Sequence, residues 1–201
     1  MALVNLKKKT IQAKIVYYGP GRGGKTTNLE YLYEIFRDRI KTDMITIKTE
    51  GDRTLFFDFL PLNVGKIKGY SVSVQLYTVP GQVKYNETRR LVLRGVDGVV
   101  FVADSLKLRL KKNAMSLKNL QENLSTYKKN IHQIPLVMQY NKRDLESEGI
   151  PISTPQTLEK TLNSKLEVAS FEASALKGVN VVSTLQKIIT LTVDSLSNEY
   201  T

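Results

Sequence analysis

Three largely apolar stretches of this chain read as strands, and the second of them as a strand covered on both faces. They are "AKIVYY" at residues 13–18, "VDGVVFVA" at 96–103 and "IPLVMQY" at 134–140. A strand with one wet face alternates polar and apolar residues, whereas a continuous apolar run fits a strand covered on both faces, as in parallel sheets. Between these runs lie segments of helical character. Leu29, Leu32, Tyr33 and Phe36 fall at helical spacing within 25–40. Further helices are expected over about 112–130, near 155–164 and, amphipathic, over about 180–197. The remaining strands expected are "MITIK" (44–48), "TLFFDFLPL" (54–62), "KIKGYSVSVQLY" (66–77) and "KLEVASFEA" (165–173). Val72, Val74 and Leu76 share one face by alternation. A turn at Asn63–Gly65 would make residues 54–62 and 66–77 the one antiparallel hairpin. The expected fold is α/β, with a mostly parallel central sheet, helices on both faces and right-handed crossovers. With 201 residues, no internal repeat and no low-complexity linker, a single domain over 1–201 is expected. Ligands of such sheets bind beyond the carboxyl ends of the strands.

Composition removes several chemistries. There is no cysteine, which excludes disulfides, thiolate metal sites, a cysteine nucleophile and prenylation. His132 is the single histidine, so no multi-histidine metal site exists. No apolar run is long enough to cross a bilayer, and the N-terminal lysines precede strand-like residues rather than a signal core. A cytoplasmic location is expected. The net charge is +11, and residues 105–133 carry seven Lys or Arg against one Glu. Such a segment is either a solvated helix face or a docking surface for anionic lipid or acidic protein. It lacks the interleaved aromatics of single-stranded nucleic-acid binders, so no specific nucleic-acid partner is expected.

Residues 19–27 are "GPGRGGKTT". Gly19 to Thr26 fit G-x-x-x-x-G-K-[ST], between an expected strand and an expected helix, as that pattern requires. Gly19, Gly21, Gly23 and Gly24 let the backbone around Arg22 curl so that successive N–H groups face phosphate oxygens. The helix N-terminus, which includes Thr27, adds partial positive charge. Lys25 can reach the β- and γ-phosphates, and the Thr26 hydroxyl can ligate Mg²⁺. Residues 141–144 are "NKRD", at the carboxyl end of another strand. Guanine offers two donors on one edge. Asp144 can accept both, and such a site rejects a base that lacks them. Asn141 would bond the base or brace the phosphate loop, and the Lys142 stem could cover the base's face. Ser174, Ala175 and Leu176, at the end of a further strand, could supply a backbone N–H to the guanine oxygen.

Together these motifs resemble the Ras-like small GTPases over nearly the whole chain. A standard member carries D-x-x-G before its second switch; here 78–82 are "TVPGQ", with Thr78 in place of the aspartate that holds Mg²⁺ through water. A threonine can still contact a metal-bound water, without charge. "IVYYGPG" (15–21), "DRTLFFDFLP" (52–61), "LYTVPGQ" (76–82), "GVDGVVFVADS" (95–105) and "YNKRDL" (140–145) closely resemble MglA, a group of bacterial Ras-like GTPases of cell polarity and gliding or twitching motility. The Arg22–Gly23 pair, Gly51 and the lysine-rich 107–129 segment are individual features within that likeness.

The resemblance implies a Ras-like P-loop fold and a GTP/GDP cycle with Mg²⁺, slow hydrolysis alone and faster turnover with a partner. Gln82 stands where small GTPases keep the residue that orients the attacking water. Arg53 resembles an arginine finger carried in the same chain, a group that can be worth about 10³–10⁵ in rate. With Lys25 these are the candidate catalytic residues. Gly81 would give an N–H to the γ-phosphate. Spacing alone leaves Thr42, Thr46, Thr49 and Thr54 open as the switch threonine; the resemblance selects Thr54, which with Thr26 makes the candidate metal ligands. Asp58 can help hold the Mg²⁺ water in place of the missing aspartate, and Asp104 braces loop structure. Phe56, Phe57 and Phe59 lie on an expected edge strand, where exposed ones would suit a partner that reads the switch. The implied partners are an MglB-like homodimer of Roadblock fold, which activates hydrolysis without donating its own arginine, and polarity or motility effectors. The chain itself would be a monomer with at most peripheral membrane association, possible concentration at cell poles being part of the same expectation. The alternatives are a non-hydrolysing GTP-binding scaffold, with Thr78 marking a degraded metal site, and a basic membrane-surface adaptor.

Overall fold

The computed structural model describes residues 3–5, 7–40, 44–47, 57–82 and 85–199. Arg53 and Thr54 lie outside these residues, as do Thr42, Thr49, Gly51 and Phe56. Eight strands and five helices are described, in the order β1 (Leu3–Asn5), β2 (Thr10–Tyr18), α1 (Lys25–Ile35), β3 (Ile45–Ile47), β4 (Phe57–Ile67), β5 (Tyr70–Thr78), α2 (Asn86–Leu93), β6 (Gly98–Asp104), α3 (Leu110–Ser125), β7 (Leu136–Asn141), α4 (Pro155–Leu158), β8 (Ser170–Glu172) and α5 (Val181–Glu199).

The strands form one sheet in the order β3-β4-β5-β2-β6-β7-β8, with β1 added beside β2. The pairs β5–β2, β2–β6, β6–β7 and β7–β8 are parallel. The expected antiparallel hairpin is present as β4–β5, and β3–β4 and β1–β2 are antiparallel as well. Every residue of β6 and β7 is buried, the polar Asp104, Gln139 and Asn141 included. β2 divides its side chains between two cores. Ile11, Ala13, Ile15 and Tyr17 pack with α1 and α5 through Leu29, Leu32, Leu185 and Ile188. Val16 and Tyr18 pack on the other face with Leu93 of α2 and Leu120 and Leu124 of α3. Among the described residues no helix is long and apolar enough to cross a membrane.

Several local expectations change. Asn63–Gly65 is not a turn but a bulge inside β4, where the register shifts and Gly65 N–H donates to Asn63 Oδ1 at 3.2 Å. The chain reverses instead at Lys68–Gly69, with φ of +48° and +82°, the left-handed pair that suits a two-residue hairpin. The strand expected over 165–173 shrinks to β8, because Glu167 has φ +51° and the Asn163 side chain clamps both backbone groups of Val168 at 2.8 and 3.0 Å. α1 stops at Ile35, and α3 starts at Leu110 and stops at Ser125, with Lys128 at φ +57° just beyond. The sequence patterns did not mark β1 or α2; α2 has eight residues, two turns in which periodicity barely registers.

Candidate functional site

The phosphate loop leaves β2 and enters α1 with Gly24 at the helix cap, at φ +94°. Its carbonyls face inward to cations. Lys25 Nζ donates to Pro20 O at 2.7 Å and Gly19 O at 3.3 Å. Arg89, from α2, donates to Gly19 O at 3.4 Å and Ser116 Oγ at 2.8 Å, and its guanidinium lies 4.4 Å from the centre of the Tyr18 ring. Arg109 donates to Gly21 O. With carbonyls 19, 20 and 21 held by side chains, the loop's N–H groups can turn to the cavity side. Lys25 is buried. Burial, with Arg89 and then Arg109 nearby, lowers its pKa to about 7 against the pull of Asp58. A phosphate oxygen beside it would reverse that shift, because an opposite charge favours the ammonium.

A cavity of about 510 Å³ opens along this loop, lined by Arg22 to Thr27 on one side and by Asp58, Thr78 to Gly81 and Lys142 on others. Asp58, on β4, is buried. Its Oδ2 accepts from Thr26 Oγ1 at 2.6 Å and from Thr78 Oγ1 at 2.8 Å, while its own N–H donates to Thr78 Oγ1 at 2.8 Å. Thr78 therefore holds a carboxylate rather than replacing one. One carboxylate and two hydroxyls make an all-oxygen set, which fits Mg²⁺, a cation that keeps several waters and takes one or two carboxylates. Among the described residues no group of three His, Cys, Asp or Glu side chains gathers as an alternative metal site. Gly81 backs directly on Gly21: a Cβ on Gly81 would lie 2.1 Å from Gly21 Cα. Gln82 follows it, exposed.

The second motif lies at the end of β7. Asn141 settles between its two expected roles on the loop side: its Nδ2 donates to Gly23 O and its Oδ1 accepts from Ala175 N, both at 2.8 Å. Ala175 N–H is thus engaged within the protein, and Ser174 N–H donates to Val179 O at 3.2 Å. Both N–H groups have protein acceptors in this structure, and Leu176 is exposed (73%). Lys142 has φ +70° and sets its ammonium 2.8 Å from Asp104 Oδ2. Asp144 is half-buried one turn on, and Arg143 anchors this loop by a hydrogen bond to Ser153 O at 2.7 Å and an ion pair with Glu172 at 3.0 Å. The structure thus gathers Gly19, Gly21 to Thr27, Gly81, Asn141, Lys142 and Ala175 around one region, with Asp58 and Thr78 added.

The Ras family model matches residues 14–194. The chain belongs to the Ras family. It is also similar to the mutual gliding-motility protein MglA of Myxococcus xanthus, 46% identical over 196 residues that cover 98% of each chain. Ras-family GTPases bind guanine nucleotides and Mg²⁺ in general, and the buried lysine, the glycine loop and the oxygen donors here fit that pair. Two further contacts of the phosphate loop were not visible in sequence. Arg89 and its neighbour Arg90 are both arginines in a short helix, and only the fold shows that Arg89 is the buried one. Arg109 was one of seven basic residues in a lysine-rich run.

Proposed function

We propose that this chain is a GTP-hydrolysing switch that serves bacterial cell polarity and motility, acting in the cytoplasm with local concentration at the poles. The observation that carries the reading is the joining of three parts at the phosphate loop. These are the phosphate loop with buried Lys25, the Asp58–Thr26–Thr78 oxygen cluster, and Asn141 braced between Gly23 and Ala175. The relative's name adds the process.

In this reading the loop N–H groups and Lys25 hold the phosphates, and Thr26 with Asp58 holds Mg²⁺. A Mg²⁺ ion held there would supply positive charge beside the phosphates. Asp144 accepts the two donors of guanine, while Lys142 covers the base. Gly81 donates its N–H toward the γ-phosphate, and Gln82 orients the attacking water. Thr54 completes the metal and γ-phosphate contacts in the GTP state. Arg53 brings a cation to the developing phosphoryl charge, a contribution of roughly 4–7 kcal/mol to the barrier. A Roadblock-fold homodimer similar to MglB accelerates turnover by organising these residues, and effectors read the GTP state.

Single-turnover GTP hydrolysis tests this, comparing the natural chain with Arg53→Ala, each alone and with the organism's Roadblock-type protein. Acceleration of the natural chain but not of the variant supports a finger in this chain. Equal acceleration of both removes Arg53 from the mechanism, and absence of hydrolysis under every condition favours a non-hydrolysing scaffold.

A further inference from the structure

Arg109 belongs to the turn Lys107–Arg109 that leads into α3. Its neighbours Lys107 and Leu108 face solvent, Leu108 at 93% exposure. Arg109 turns inward, its side chain only 19% exposed. Ordering and desolvating a long charged side chain is costly, so an inward arginine marks specific partners. It has two. One is the carbonyl of Gly21 in the phosphate loop. The other is the Asp104 carboxylate, with Nε 3.4 Å from Oδ2.

Asp104 is almost fully buried (1%) at the end of β6. The same Oδ2 takes Lys142 Nζ at 2.8 Å, and Oδ1 accepts the Leu106 N–H at 3.1 Å. Asn113, from α3, fixes the backbone of Asp104 by two bonds of 2.8 and 3.0 Å. A single buried carboxylate therefore ties the loop that faces phosphate, through Arg109, to the lysine of the base motif. Lys142 is a non-glycine residue in left-handed backbone, a conformation that persists only where contacts over-determine it.

We propose that Arg109 is a positioning residue that slows nucleotide release by bridging the phosphate loop and Asp104. The inference rests on the guanine-nucleotide reading above. The chemistry requires an arginine: its planar fork reaches a carbonyl and a carboxylate together, where a lysine ammonium is a point charge. Removing the guanidinium leaves the Gly21 carbonyl and one side of a buried carboxylate unmet. The loop then loses an anchor at the phosphate end, and Lys142 loses the counterbalance that sets its place at the base end.

The test is the rate at which fluorescent mant-GDP leaves the full-length protein on chase with excess GDP. The proteins compared are the natural chain, Arg109→Ala, Arg109→Lys, Asp104→Asn, the Arg109→Ala/Asp104→Asn double variant and the exposed control Lys107→Ala. Lost hydrogen bonds to charged groups predict release about tenfold faster in Arg109→Ala or more. Arg109→Lys should recover only part of the loss, and Lys107→Ala should release at the natural rate. The double variant should release no faster than the quicker single one, because the two residues act as one unit. Thermal unfolding of each protein shows whether a change in release follows a change in fold. Release from Arg109→Ala at the natural rate overturns the proposal, as does full recovery by lysine or independent multiplication of the two single effects. If the natural chain does not retain mant-GDP, the guanine-nucleotide reading fails first, and the inference with it.

Discussion

A methyl group on Gly81 has no room. Its Cβ would lie 2.1 Å from Gly21 Cα, 2.4 Å from Gly21 N and 2.8 Å from Pro20 C. Every one of these atoms is backbone, so no side chain can rotate away. Carbon atoms rest at about 3.5–4.0 Å, so the two loops must part by roughly 1.4 Å or more. Overpacking of this kind costs about 1–3 kcal/mol, and for a chain of this size each kcal/mol lowers Tm by roughly 2–4 °C. A shift of about 1 Å in a positioning element can also cost on the order of 10²-fold in function. The reverse substitution is benign by the same geometry: a Cβ on Gly21 meets Gly81 C and O at 3.4 Å, ordinary contact. Gly81→Ala should therefore lower Tm by several degrees and weaken mant-GDP binding by about tenfold or more. Gly21→Ala should leave both close to the natural values. Thermal unfolding and equilibrium titration of the two variants side by side decide the matter. If they behave alike, or if Gly81→Ala is the milder, the packing of these loops is not what governs the site.

Three further outcomes are expected. Asp58→Asn removes the charge between Thr26 and Thr78, so chelating Mg²⁺ with EDTA should speed nucleotide release strongly in the natural chain and little in the variant. Asp144→Asn offers a donor where guanine also presents one; affinity for GDP should fall by roughly 10² or more in the same titration, with the fold intact by circular dichroism. Gly98→Ala would place Cβ 2.3 Å from Thr192 Oγ1 and 3.3 Å from the Ile188 side chain, overpacking the contact of α5 with β6. It should lower Tm through a loss of about 1–3 kcal/mol while leaving mant-GDP affinity unchanged.

The parts of the site that depend on backbone were legible in the sequence. A glycine-spaced loop before a lysine and a hydroxyl, or "NKRD" after an apolar strand, can be recognised because few other residue choices would serve. The parts that depend on which way a side chain turns were not. Arg89 and Arg90 are adjacent and alike, yet one is wholly buried against Tyr18 and the other is exposed. Arg109 turns inward and Lys107 outward within a single turn. Asn63–Gly65 has the composition of a turn, but pairing with β5 on both sides makes it a bulge. The sequence leaves Asp58 as a candidate to help hold a Mg²⁺ water; its contact with the Thr78 hydroxyl, which donates to the carboxylate from the neighbouring strand, is visible only in the fold. Asn141 left two roles open in sequence, and its two bonds place it at the loop. Arg53 and Thr54 fall outside the described residues.

The three side chains that hold carbonyls 19 to 21 come from α1, α2 and the turn before α3, and all three are cations. Their mutual repulsion is part of what lowers the Lys25 pKa. Three cations gathered at one loop should draw anions to it whatever they carry. Sulfate, pyrophosphate or a polyanionic resin should compete for it without reading any base, so buffer anions would protect the protein during handling and also mask weak nucleotide binding in an assay.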